Sequence, residues 1–265
     1  MAKPPARKAS SKDIQAFLSK SKAVATFAGK HPRLLFAIDA TASREPTWAM
    51  ARQLQSDMFS SAGRLASLSI QLCYYRGFQE FYASPWLRDT RALAGQMAAV
   101  RCEGGHTQIG RLLRHAQQVH REAPVRALVF IGDAVEELPD SLCNQAGQCG
   151  LLKLPLFLFQ EGDDPVVRST FQSMARLSGG AWARFDHRSA HTLAELLGAV
   201  AQYAAGGRAA LENNPGEGAK LLLQQLKPSG PTCRNSCSCS PSRSPSTSCS
   251  FAPGPCPPIC ARPST

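Results

Sequence analysis

The feature that most limits what this chain can become is the stretch Arg33-Leu-Leu-Phe-Ala-Ile-Asp39-Ala-Thr41-Ala-Ser43. An apolar run stops at an aspartate, and two hydroxyls follow at alternate positions. A short, nearly continuous apolar run predicts a strand buried on both faces, which demands a sheet covered by helices on both sides. The strand delivers Asp39, Thr41 and Ser43 to the edge of the sheet, just ahead of a helix whose first turn tolerates Pro46. Two later stretches converge on the same edge: Gly104-Gly-His-Thr107-Gln-Ile-Gly110 and Val129-Phe-Ile-Gly-Asp133. Together they offer two carboxylates and three hydroxyls, an all-oxygen set that suits a small hard cation such as Mg²⁺. Mn²⁺ suits the same ligands.

The remaining pattern alternates. Trp48, Ala51, Leu54, Met58 and Phe59 trace one helix face. Leu65 to Tyr75 reads as a second strand, with Leu68, Ile70 and Leu72 inward. Arg76-Gly77 turns the chain, and Phe78 to Tyr82 returns as a short antiparallel partner. The aromatic set Tyr74, Tyr75, Phe78, Phe81, Tyr82 and Trp86 reads as the packing of that hairpin ahead of the alternative, a recognition surface. Helices are expected over 89–100, from Thr107 through Val119, over 142–152, from Asp164-Pro165 to Gly179-Gly180, and over 189–203. Strands are expected over 125–131, 154–159 and 181–185. This alternation predicts an α/β fold: a three-layer, doubly wound, mostly parallel Rossmann-like sheet with one short antiparallel edge strand. Such sheets take ligands at the carboxyl ends of their strands, where Asp39 and Asp133 stand.

The organisation expected is a basic arm and short helix over 1–29, the α/β domain over 30–205, a partly helical segment over 206–227, and a disordered tail over 228–265. The tail is rich in Pro, Ser, Cys, Thr and Arg and has no acid, so it lacks the means to build a core. Its cysteines, Cys233, Cys237, Cys239, Cys249, Cys256 and Cys260, are irregularly spaced, which leaves a metal or disulfide cluster as an alternative to the disordered tail. An out-of-frame extension beyond Lys227 reads the same way. The net charge is +11, but seven cations in the first twelve residues and in the tail account for all but +4 of it. That balance argues against a nucleic-acid partner. No apolar window long enough for a membrane span and no secretory signal is visible, so a cytoplasmic location is expected. Cys73, Cys102, Cys143 and Cys149 fit no metal spacing and read as reduced, mostly buried thiols.

The pattern Asp-x-Thr-x-Ser at a strand end, then a threonine in a Gly-rich loop, then an aspartate at a later strand end, resembles the von Willebrand factor type A (VWA) family, and in detail a bacterial intracellular branch of it. The resemblance covers roughly residues 33–205. It implies a metal-ion-dependent adhesion site (MIDAS) in which Asp39, Thr41 and Ser43 match the first motif, Thr107 the loop threonine and Asp133 the last acid. Thr41 stands where serine is usual and keeps the hydroxyl. The implied function is protein binding: the metal keeps an open position for an Asp or Glu of a partner protein, with no catalytic residue.

Other readings compete. An aspartate at the end of a first strand also begins phosphatases in which Asp39 would be the nucleophile, but those need a second aspartate where Thr41 stands. No P-loop, Gly-x-Gly-x-x-Gly or Gly-x-Ser-x-Gly is present. A structural domain with a non-functional metal site is the third reading. Glu136 and Glu137 read as solvated loop charges, and Glu45 as a shield for the open position. His187 and His191 lack a third zinc ligand and, like His115 and His120, read as surface histidines.

Overall fold

The computed structural model describes residues 31–46, 49, 68–185 and 190–226. The chain divides into two units, Met1–Ser229 and Gly230–Thr265, and the second lies wholly outside the described residues. The N-terminal arm, most of the helix expected after Pro46, His187 and the cysteine-rich tail also lie outside them.

Every residue of the first strand, β1 (Arg33–Asp39), is buried except Arg33. Side chains of a strand alternate between faces, so such a strand needs apolar cover on both. It has it. The other strands are β2 (Ser69–Arg76), β3 (Glu80–Ala83), β4 (Val125–Gly132), β5 (Leu156–Glu161) and β6 (Ala181–Phe185). The helices are α1 (Thr90–Ala99), α2 (Ile109–Glu122), α3 (Pro139–Leu151), α4 (Pro165–Ser178), α5 (Ala190–Glu212) and α6 (Glu217–Gln225). Leu34, Phe36 and Ile38 of β1 pack with Leu93 and Met97 of α1 and with Leu193, Leu196 and Val200 of α5. Leu35 and Ala37 pack on the other face with Leu112 and Leu113 of α2, Leu142 of α3 and Phe171 of α4.

The six strands lie in the order β3-β2-β1-β4-β5-β6. All neighbours are parallel except β2 and β3, which pair antiparallel from Cys73–Ala83 to Arg76–Glu80. The order reverses between β1 and β4, and the ends of those two strands carry Asp39 and Asp133. This is the α/β sheet with an antiparallel edge that the sequence predicts.

Several boundaries differ from expectation for physical reasons. The β2–β3 turn places Phe78 and Gln79 at its tip, so β3 starts at Glu80. The fifth strand runs on through Gln160 and Glu161, both buried: Gln160 Nε2 donates to the Asp164 carbonyl at 2.9 Å while its Oε1 has no hydrogen-bond partner among the described residues, and Glu161 pairs with Arg44. Of the aromatic set, Tyr74 stacks on Tyr82 at 5.0 Å in the expected hairpin packing. Tyr75 turns to the opposite face against Phe130, and Phe78 is 80% exposed. Cys73 and Cys149 are buried free thiols, and burial pushes the Cys73 thiol up to about 12.

The core continues beyond residue 205. α5 runs across a bend at Gly207 to Glu212, and Leu211, Ala219, Leu222 and Leu226 join the same apolar cluster as β1. α6 also closes the sheet edge: the Gln225 amide accepts from Trp182 N at 2.9 Å and donates to Trp182 O at 2.7 Å. Among the described residues no helix is long and apolar enough to cross a membrane.

Candidate metal centre

At the end of β1 the chain leaves the sheet through Ala40, whose N–H still bonds the Tyr75 carbonyl at 3.0 Å. Asp39 stays fully buried. Its Oδ1 accepts from Thr41 N at 2.7 Å, so the carboxylate shapes the turn that follows it, and its Oδ2 accepts from the Tyr75 hydroxyl at 3.1 Å. Burial raises the Asp39 pKa to about 6 despite these hydrogen bonds, and the nearby Asp133 carboxylate adds to the rise. A cation beside Asp39 would offset that desolvation and favour the ionised form.

The turn is a short 3₁₀ segment, Ala42–Arg44. It sets the hydroxyls of Thr41 and Ser43 3.4 Å apart, and Ser43 Oγ donates to Asp133 Oδ2 at 3.2 Å. The two strand ends thus meet through a row of oxygens: Thr41, Ser43, Asp133. The second oxygen of Asp133, Oδ1, is buried and has no hydrogen-bond partner among the described residues. An ionised oxygen left in that state is costly unless a cation completes it.

Thr107 stands on a loop tied to the end of β1 and to the β2–β3 turn, and its hydroxyl bonds Glu136 and Glu137, beyond β4, rather than Thr41, Ser43 or Asp133. Glu103 N donates to the Ala40 carbonyl at 3.0 Å, and His106 N donates to the Gly77 carbonyl at 3.3 Å. Gly105 lies so close to Gly77 that a Cβ there would stand 1.9 Å from its carbonyl oxygen. The Thr107 hydroxyl donates to Glu137 Oε2 at 2.8 Å and accepts from Glu136 N at 3.0 Å. One lone pair remains, and the hydrogen bond given to a carboxylate makes the oxygen a better ligand.

Glu137 is therefore no solvated loop charge, and Glu136, although exposed, is tied to the same loop. Glu136 accepts from Thr107 N at 2.8 Å and lies 3.2 Å from the His106 ring. Glu137 Oε1 accepts from Gly110 N at 2.8 Å, so a residue of the following loop caps the first turn of α2. That helix opens at Ile109 behind Gln108, two residues later than expected, because Thr107 spends its hydroxyl on this clamp. Glu45 binds the neighbouring loop, accepting from Cys102 N at 3.4 Å, rather than standing over the site.

His115 and His120 are also not idle surface groups. Both are half-buried. His115 Nε2 lies 2.9 Å from the Gln71 side-chain oxygen, and His120 Nδ1 accepts from Val125 N at 3.2 Å. His191 is exposed on α5, 3.9 Å from Glu195.

The residue that sequence reasoning missed is Arg44. It is 6% exposed, and its guanidinium lies 3.1 Å from Asp133 Oδ2 while also pairing with Glu161 at the end of β5. A cation is thus already built into the cluster, bonded to the same Asp133 oxygen as Ser43. Among the described residues no three His, Cys, Asp or Glu side chains gather as a metal site. Two carboxylates with neutral hydroxyls select hard cations over soft ones.

No protein-family model matches the chain, and no curated protein does. Solved structures do. The minor pilin PilB of Streptococcus sanguinis, as a point mutant, is 8% identical at a TM-score of 0.52, over 70% of this chain and 64% of that one. Proximal thread matrix protein 1 of the mussel byssus, with zinc in its MIDAS motif, is 13% identical at 0.51, over 64% and 46%. The vWF domain of the type V pili tip protein Mfa5 from Porphyromonas gingivalis is 10% identical at 0.50, over 71% and 97%. The chain thus spans less than two thirds of the first two of these proteins and nearly all of the third. At these identities the likeness concerns the backbone, and on that ground the chain has the fold of a von Willebrand factor type A domain.

Proposed function

We propose that this chain is a divalent-metal-dependent protein-binding module. Asp39, Thr41, Ser43, Thr107 and Asp133 hold Mg²⁺ or Mn²⁺, and an Asp or Glu of a partner protein joins them. The observation that carries the reading is the buried Asp133 oxygen that has no partner among the described residues, beside the row of Thr41 and Ser43 hydroxyls. The fold agrees with it, as does the occupied site of the same name in the byssus protein.

When bound, the metal supplies an electrophilic position for a carboxylate. The chain's own residues do the rest. Tyr75 and Thr41 N orient Asp39. Glu136 and Glu137 hold the Thr107 loop. Arg44 keeps one Asp133 oxygen occupied and leaves the other available. Calorimetric titration with Mg²⁺ tests the site. Asp39→Ala and Asp133→Ala should abolish binding while circular dichroism stays that of the parent. Unchanged affinity in both variants would sink the proposal.

Arg44 also favours a second reading, a structural domain in which the guanidinium is the only cation the site takes. No Mg²⁺ binding by the unaltered chain, combined with binding by Arg44→Ala, would establish that alternative.

A further inference from the structure

A cleft of about 400 Å³ opens beside Thr107 between the β2–β3 turn, α2 and α3. Phe78, Thr107, Gly110, Arg114, Glu137 and Gln145 are among its lining residues. Its floor is Gly110. A Cβ at that position would stand 3.2 Å from Gln145 Nε2, 3.5 Å from Glu137 Oε1 and 3.6 Å from Arg114 Nη1. Three polar side chains therefore surround one small volume that glycine leaves open.

The balance of that volume is positive and donor-rich. Glu137 is the one carboxylate in the lining, and both its oxygens are already spent, on Gly110 N and on the Thr107 hydroxyl. Arg114 is exposed and makes no ion pair or hydrogen bond among the described residues. The second arginine of the lining, Arg111, is held against the wall, bonded to Gln108 Oε1 at 3.1 Å and lying over the Phe81 ring at 5.4 Å. Gln145 turns its Nε2, a donor, toward Gly110, while its Oε1 is buried with no partner among the described residues. At the rim stands Phe78, 80% exposed, its ring edge-on to His106 at 5.7 Å. A free guanidinium and an amide N–H₂ facing one cavity match a planar carboxylate, and a protruding aromatic ring beside them matches an apolar neighbour.

The geometry points to a second carboxylate subsite: the partner presents an acidic segment, with one Asp or Glu at the metal centre and another on Arg114 and Gln145, its apolar residue against Phe78. This rests on the metal-dependent reading above. It adds that a single acid is insufficient and that the recognised surface runs from Thr107 along the start of α2.

A random dodecapeptide library displayed on phage, selected on the full chain in Mg²⁺, tests it. Enriched peptides should carry two acidic residues. A synthetic copy should bind Arg114→Ala about tenfold or more weakly than the parent, the loss of a charge-assisted pair, while the Mg²⁺ affinity stays unchanged. Gly110→Ala should weaken the peptide in the same way, by filling the floor without altering any charge. Asp39→Ala should lose both metal and peptide. Peptides with one acid, or with two but indifferent to Arg114→Ala, would overturn the subsite and leave the metal reading standing. Peptides that need Arg114 but neither Asp39 nor Mg²⁺ would support the subsite and overturn the metal reading. A library yielding no acidic peptide would overturn the subsite.

Discussion

Arg44 separates two oxygens that would otherwise be equivalent. By bonding Asp133 Oδ2 it makes Oδ1 the free one, and by pairing with Glu161 it fixes the turn that carries Ser43. Its removal strands two carboxylates, one of them buried. Arg44→Met should lower unfolding free energy by about 3 kcal/mol in urea titrations, because a broken buried pair leaves an uncompensated charge. A loss below about 1 kcal/mol would mean that the cluster relaxes into solvent. His115 supports a prediction in pH. Burial lowers its pKa below the ordinary 6.5, against a weaker opposite pull from Glu122. The folded chain takes up that proton less readily than the unfolded chain, so stability is full above the unfolded pKa and is lost as pH falls through it. Thermal melts between about pH 7 and 5 should decline less steeply in His115→Gln than in the parent.

At the scale of elements, the Thr107 loop is held by contacts that leave no room for a side chain at Gly105. Gly105→Ala must push the loop off Gly77. It should cost about 2 kcal/mol of stability, the usual order for overpacking, and should weaken Mg²⁺ binding by displacing Thr107. An unchanged melting temperature would show that the loop moves freely. Much of this architecture was legible in the sequence. β1 and β4 are apolar runs ended by aspartates, so both the strands and their chemistry announce themselves. Glu161 was not read, although it ends β5 just as Asp133 follows β4. A charged residue at the end of a run looks like solvent when its partner, Arg44, lies 117 positions away. Glu137 was misread for the same reason: its hydrogen bonds go to the start of α2, 27 positions earlier in the chain for Gly110. Hydrophobic period reports which face is buried. It carries nothing about which polar groups meet across strand ends.

For the molecule as a whole, the core depends on the last described helices. Leu211, Leu222 and Leu226 are buried in the cluster that covers β1. At roughly 1.5–3 kcal/mol per buried leucine, a chain ended at residue 205 forfeits about as much as a domain's entire margin. Such a truncation should give no cooperative unfolding transition by calorimetry. A sharp transition near that of the parent would show that α6 is an ornament. The same helix decides how the sheet meets other chains. The edge of β6 would ordinarily offer its amides as a template for a further strand, the route by which sheets recruit peptides or run on into fibrils. Gln225 occupies both main-chain groups of Trp182 with one side-chain amide. The clamp acts as a counterfeit strand one residue long, so registry-matched growth from this flank is blocked near its start, and Gln225→Ala would restore the template.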